Sequence, residues 1–184
     1  EDDYFQSSLF TIARRRILWL LILVLANGLT TKVIAMNDEI LKEIVLLAAF
    51  IPLLIGTGGN VGAQSSTVVI RGLSTQKLKS LGAIKAVVKE SITGALLGIF
   101  MMLVVFPFAW WQGEGPLIAS AVGISLISIT TLAATTGAIL PLLFDRMKLD
   151  PALMSSPFIT TVTDIAGVFI YLSTAKWLLS SSIV

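Results

Sequence analysis

From Gly115 to Phe144 the chain carries no charged residue. About 20 predominantly apolar residues in helical conformation are enough to cross the hydrocarbon core of a bilayer. Charges elsewhere divide the chain into comparable stretches. Ile17–Thr31 is uncharged, and its apolar pattern resumes through Val33, Ile34 and Met36. Ile44–Ile70 and Ser91–Gly113 are uncharged, and Pro151–Ala175 holds a single charge, Asp164. The predicted fold is therefore an all-α membrane protein with five transmembrane helices. Composition agrees: 55% of the 184 residues are hydrophobic and 13% are charged, about half the charged share of a soluble domain. A surface so poor in charge excludes an ordinary water-soluble protein.

Cysteine and histidine are both absent. That excludes disulfides, Cys or His metal sites, haem and Fe–S ligation, and Cys/His or Ser/His catalysis. A metal handled by this chain is held by oxygen, which favours hard cations such as Mg²⁺, Ca²⁺ and Mn²⁺. One intramembrane carboxylate offers no acid–base pair, so no enzyme is expected. The chain starts at Glu1, with no signal-peptide pattern, and is expected to follow a further segment or domain.

Orientation follows from the basic residues of the connections. Arg14, Arg15, Arg16, Arg71, Lys77, Lys79, Lys85, Lys89, Arg146 and Lys148 fall on one side; Lys32, Lys42 and Lys176 fall on the other. Ten against three puts the N-terminus in the cytoplasm and the C-terminus outside a plasma (inner) membrane. Trp110, Trp111 and Trp177 then mark the outer interface, and Trp19 the inner one. The basic stretch Lys77–Lys89 reads as a solvated or headgroup-facing surface.

Asp164 is the only charged residue between Asp150 and Lys176. A carboxylate at the centre of a membrane helix costs roughly 2.5–3.5 kcal/mol on insertion scales. No basic residue in another span core neutralises it, so it is protonated, faces water or faces a cation. Ser156, Thr160, Gly167 and Tyr171 share its face at helical spacing. A hydrogen bond from Ser or Thr on a neighbouring helix is the structural alternative.

In the second span, Gly56, Gly58, Gly59 and Gly62 follow Pro52. Each glycine costs about 1 kcal/mol relative to alanine in a helix, and proline removes a backbone bond. A broken or kinked helix is expected between Pro52 and Gln64, with freed carbonyls toward an ion path. Asn60 and Gln64, four apart, add amide oxygens on one face. Close packing through small residues is the competing reading. A nucleotide-binding glycine loop is rejected, because GTGGNVG fits its pattern poorly and lacks a βαβ context. Gly94 and Gly98 in span three, and Ser125, Ser128, Thr130, Thr131, Thr135 and Thr136 in span four, are read as helix-packing positions. Glu90, at the start of span three, either pairs with nearby lysines or rings a pore mouth.

The stretch Pro52–Gly72, containing GGNVGAQSSTVVIRGLS, resembles the signature of the MgtE family of magnesium channels or transporters. Gly137, Pro141 and LDPALMSSPFITTVTDIAGVFIYLSTA resemble the family's last two helices. The resemblance implies a homodimer with a pore on its two-fold axis, built from the second and fifth spans. It implies Asp164, after Thr161, as the pore carboxylate, with Gly59 and Asn60 near the ion. Ser156 stands where some members have Asn. Cytosolic N-terminal and CBS regulatory domains belong to the family. Here residues 1–16 are expected to be a cytoplasmic tail at the end of a connecting helix, and 17–184 the pore domain. Candidate ion-contacting residues are Asp164, Asn60, Gly59, Thr160, Ser156, Gln64 and Glu90. The implied function is passage of hydrated Mg²⁺ into the cytoplasm. An ion-coupled Mg²⁺ carrier or exchanger, and a non-transporting membrane anchor, are the alternatives.

Overall fold

The computed structural model describes residues 8–43, 45–75, 82–111 and 115–180, and among them every regular element is a helix. The elements are α1 (Leu9–Ala35), α2 (Asp38–Glu43), α3 (Val45–Ser74), α4 (Ala83–Trp111), α5 (Gly115–Arg146) and α6 (Pro151–Ser180). The helices α3, α4, α5 and α6, the last over Ser156–Ser180, are long and apolar enough to cross a membrane. The first expected span corresponds to α1, whose apolar run, Leu20–Ala35, is shorter.

Helix ends form where the sequence supplies caps. The turn after α1 is closed by the amide of Asn37, which donates to Val33 O at 2.8 Å. Asp38 and Glu39 then open α2, where carboxylates meet the positive end of the helix dipole. The hydroxyls of Ser74 and Thr75 both donate to Arg71 O, at 2.9 and 2.8 Å, and close α3. Gly82 (φ 78°) precedes α4 and Gly115 (φ 75°) opens α5, both in the left-handed region that suits glycine. After α5, Leu149 N–H donates to Phe144 O and Lys148 N–H to Asp145 O, at 2.9 and 3.1 Å. This is a Schellman motif, with Lys148 (φ 58°) in the position usually held by glycine. Pro151 follows as the first residue of α6, where its missing N–H costs no helical bond.

The central helix is α5, which packs extensively on α3, α4 and α6. Its partners approach through small residues. A Cβ on Gly94 would meet Ala134 Cβ and Thr130 O, both at 2.6 Å. One on Gly98 would run into Thr130 Oγ1 and lie 2.5 Å from Ile127 Cα. Ser91 and Thr135 join α4 to α5 by a 2.7 Å hydroxyl bond. The packing reading therefore holds for Gly94, Gly98, Thr130 and Thr135. On the other side, Leu47, Leu54, Leu126, Ile129, Val168 and Tyr171 belong to one buried cluster shared by α3, α5 and α6. α1 makes its main contact with α6 and leaves Leu20, Leu21, Ile22, Val24, Leu25 and Leu29 exposed.

The expected break in the second span does not occur. α3 is helical throughout Val45–Ser74, with Pro52 inside it. The physical reason lies across the interface. A Cβ on Gly58 would sit 2.8 Å from Ile129 Cγ2, and one on Gly62 would sit 2.5 Å from Ile159 Cγ2. A Cβ on Gly137 would collide with the carbonyl oxygen of Gly62. These glycines are used for close approach, and tertiary packing outweighs their poor helix propensity.

Candidate functional site

Two helices position the candidate residues. As α3 advances from Gly58 to Gly62, its neighbours on α6 step back from Thr163 to Ile159, with Thr160 opposite Gly59. The pair is therefore antiparallel. Extending this register places Asn60 level with Thr160, Gln64 level with Ser156, and Gly56 level with Asp164. Gly56, Asn60, Gln64, Ser156 and Thr160 are exposed, while Gly59 and Asp164 are half-buried. The buried sides of the same helices hold Gly58, Val61, Gly62, Ser65, Ile159 and Thr163. The result is a polar face shared by α3 and α6, open on its outer side.

The Asp164 face divides along the helix. Ser156, Thr160 and Asp164 lie on the open side. Gly167 and Tyr171, expected on the same stripe, are buried in the core. Gly167 faces Ile129, 3.6 Å from the position of a Cβ. The Tyr171 hydroxyl is fully enclosed and donates to Leu47 O at 3.0 Å. Rotation of α6 onto Ile129 thus separates residues that helical spacing had grouped together.

Hydroxyl geometry around the carboxylate is also informative. Thr160 donates to Pro157 O at 3.0 Å, Thr161 to Pro157 O at 2.9 Å, and Thr163 to Ile159 O at 2.8 Å. Their protons point along the helix, so the exposed Thr160 presents its remaining lone pairs outward. Among the described residues, no hydrogen bond or ion pair reaches the Asp164 carboxylate. The structural alternative, a bond from a neighbouring Ser or Thr, is not realised among the described residues.

Glu90 belongs to α4, which packs on α5 and touches α3 only marginally; it is not brought to the α3–α6 face of its own chain. Among the described residues there is no cluster of three or more metal-ligating acidic, Cys or His side chains. Gly56 was not among the expected site residues. Its signal in the sequence was its place three and four residues before Gly59 and Asn60, on the same helical face.

Comparison with known proteins bears on this arrangement. The family model described as MgtE, divalent cation transporter, matches residues 51–174, a span that holds all of the α3–α6 face named above. A magnesium transporter MgtE of Thermus thermophilus is 39% identical over 166 residues, covering 90% of this chain and 37% of the relative. That of Bacillus subtilis is 32% identical over 176 residues, covering 95% and 39%. That of Enterococcus faecalis is 34% identical over 168 residues, covering 89% and 36%. The chain thus spans well under half the length of these relatives. With its long apolar helices, it is a multi-pass membrane protein, and it belongs to the MgtE family.

Proposed function

We propose that this chain is the pore domain of a Mg²⁺ channel, with Asp164 as the carboxylate that meets the ion. The observation that carries the reading is a half-buried carboxylate within a helix long and apolar enough to span a membrane, without a partner among the described residues, on a face of small and oxygen-bearing residues. An open face of this kind needs a second surface to enclose a path. A homodimer with α3 and α6 on its two-fold axis supplies one and brings two Asp164 carboxylates to one ion. α1 completes five spans, and the excess of basic residues orients the N-terminus and the α3–α4 and α5–α6 connections toward the cytoplasm of the plasma membrane. Residues 17–184 form this pore domain, and 1–16 its cytoplasmic lead-in from regulatory domains such as the longer relatives have room for.

The chemistry suits a hydrated ion. Mg²⁺ demands octahedral oxygen at 2.0–2.1 Å and gives up water reluctantly. One carboxylate per chain, flanked by Asn60, the Gly59 backbone, Thr160, Ser156 and Gln64, offers acceptors to the protons of its water shell. Contact through water is weaker than direct ligation, and conduction requires binding that can release. A negative-inside potential drives the divalent ion inward with about 4.6 kcal/mol per 100 mV, twice the value for a single charge.

Mg²⁺ uptake into proteoliposomes tests the reading. Asp164→Asn and Asp164→Ala should lower flux at least tenfold while the protein stays folded and its elution in detergent is unchanged. Flux like the wild type through either variant would refute the assignment. Currents that persist without H⁺ or Na⁺ gradients distinguish a channel from a coupled carrier, and absence of flux in the wild type would leave a membrane anchor.

A further inference from the structure

A cavity of about 330 Å³ lies where α4 begins and α5 ends, lined by neither α3 nor α6; its walls include Ile84, Val87 and Val88 of α4 and Ile139, Leu143 and Arg146 of α5. On α5 these positions recur at the spacing of one helical face. Ile139 lies two turns before Arg146, which stands at the helix end, about 10 Å away at 1.5 Å per residue. Ile84 is 80% exposed and Val88 52%, so the groove opens sideways, toward the lipid around a membrane-spanning bundle. It is an apolar trough with one cation at its mouth.

The occupant follows from that charge pattern. A soluble polar ligand would find no hydrogen-bonding partner along the aliphatic walls. An acyl chain would, by contrast, bury apolar surface there. The Arg146 guanidinium presents a planar fork of donors that matches phosphate oxygens. Basic pockets between transmembrane helices at the membrane surface suit anionic headgroups. Lys85 and Lys89 project from the other side of α4 at about 100° per residue; they raise the positive potential of this end without lining the groove. Glu90, Asp145 and Asp150 temper it, which leaves Arg146 as the specific element. The volume lies at the low end of ligand pockets, about 300–1,000 Å³, and fits a single chain.

We infer that this groove binds one acyl chain of an anionic phospholipid, with the lipid phosphate on Arg146. The inference rests on the membrane-spanning fold and is independent of which residues conduct Mg²⁺. Native mass spectrometry of the purified protein, titrated with dioleoyl phosphatidylglycerol or dioleoyl phosphatidylcholine, tests it directly. Phosphatidylglycerol should bind about fivefold more tightly, the worth of one basic side chain near an anionic surface. Arg146→Gln should erase that preference, and Arg146→Lys should retain part of it. Val88→Trp, which fills the groove, should weaken binding of both lipids. Lys148→Gln, at an exposed cation outside the groove, should leave the preference intact, and inorganic phosphate should not compete. Equal binding of the two lipids by the wild type would overturn the proposal, as would a preference that survives Arg146→Gln. An equal loss in Lys148→Gln would reduce it to general surface charge. A photo-crosslinker at Val88 that captures protein instead of added lipid would also refute it. Circular dichroism and gel filtration confirm that each variant is folded.

Discussion

Two pairs of glycines lie within seven residues of α3, and they do opposite things. Gly58 and Gly62 are buried against Ile129 and Ile159, where even a methyl group would collide. A Cβ on Gly56 would meet no neighbouring helix within 4 Å, and one on Gly59 would meet only Thr160 Cγ2, at 3.9 Å. One pair lets three helices close into a core, and the other leaves space beside a carboxylate. The difference is set by what stands across each position. A run of glycines therefore needs to be read one residue at a time.

The contrast breaks most sharply on the closed side. Gly137→Val forces a branched side chain against the carbonyl of Gly62, where the obstacle is backbone and cannot turn aside. A loss of at least about 3 kcal/mol is expected, at or beyond the usual range for overpacking. Gly62→Ala meets the stiff side chain of Ile159 and should cost about 1–3 kcal/mol. Melts in detergent measure both, and unchanged stability in either variant would contradict the close packing.

A smaller effect tests how the N-terminal half of α3 is held. Tyr171→Phe keeps the buried ring and removes the donor to Leu47 O, in the turn before Pro52. It should cost about 0.5–1.5 kcal/mol, the net worth of one hydrogen bond. Stability equal to that of the wild type would mean that Tyr171 acts through its ring alone.

The smallest effect lies on the open side. Gly56→Ala meets no neighbour and should raise stability by up to about 1 kcal/mol through helix propensity. Because Gly56 lies level with Asp164, its methyl group should lower Mg²⁺ flux less than loss of the carboxylate does. Destabilisation by Gly56→Ala would show that the open face is covered more tightly than one chain reveals.

Much of this organisation is legible in the sequence. The uncharged run Gly115–Phe144 lies within α5, Gly115–Arg146, because charge cannot enter the bilayer core cheaply. Gly94 and Gly98 read correctly as packing positions, since their spacing alone creates a small-residue stripe. Asp164 stood out because nothing else charged lies near it in its helix. The glycines of α3 pointed to a break that the continuous helix does not show, for a physical reason. A missing Cβ permits both a bent backbone and a close neighbour, and composition does not distinguish them. Gly167 and Tyr171 shared a helical face with Asp164, yet the rotation that buries them is set by Ile129 of another helix. That information is tertiary and has no local signature.

The meeting of Gly62 and Gly137 also limits how the molecule can move. Side chains at an interface can change rotamer and let helices turn past one another. Two main chains in direct contact have no such freedom, and close-packed interiors pass displacement on rather than absorb it. A rotation of α3 about its own axis would replace Gly62 at this contact with residues that carry side chains, for which α5 leaves no room. In the proposed channel, any widening beside Asp164 would carry α3 and α5 together, as a rigid-body displacement of the kind that packed helices undergo.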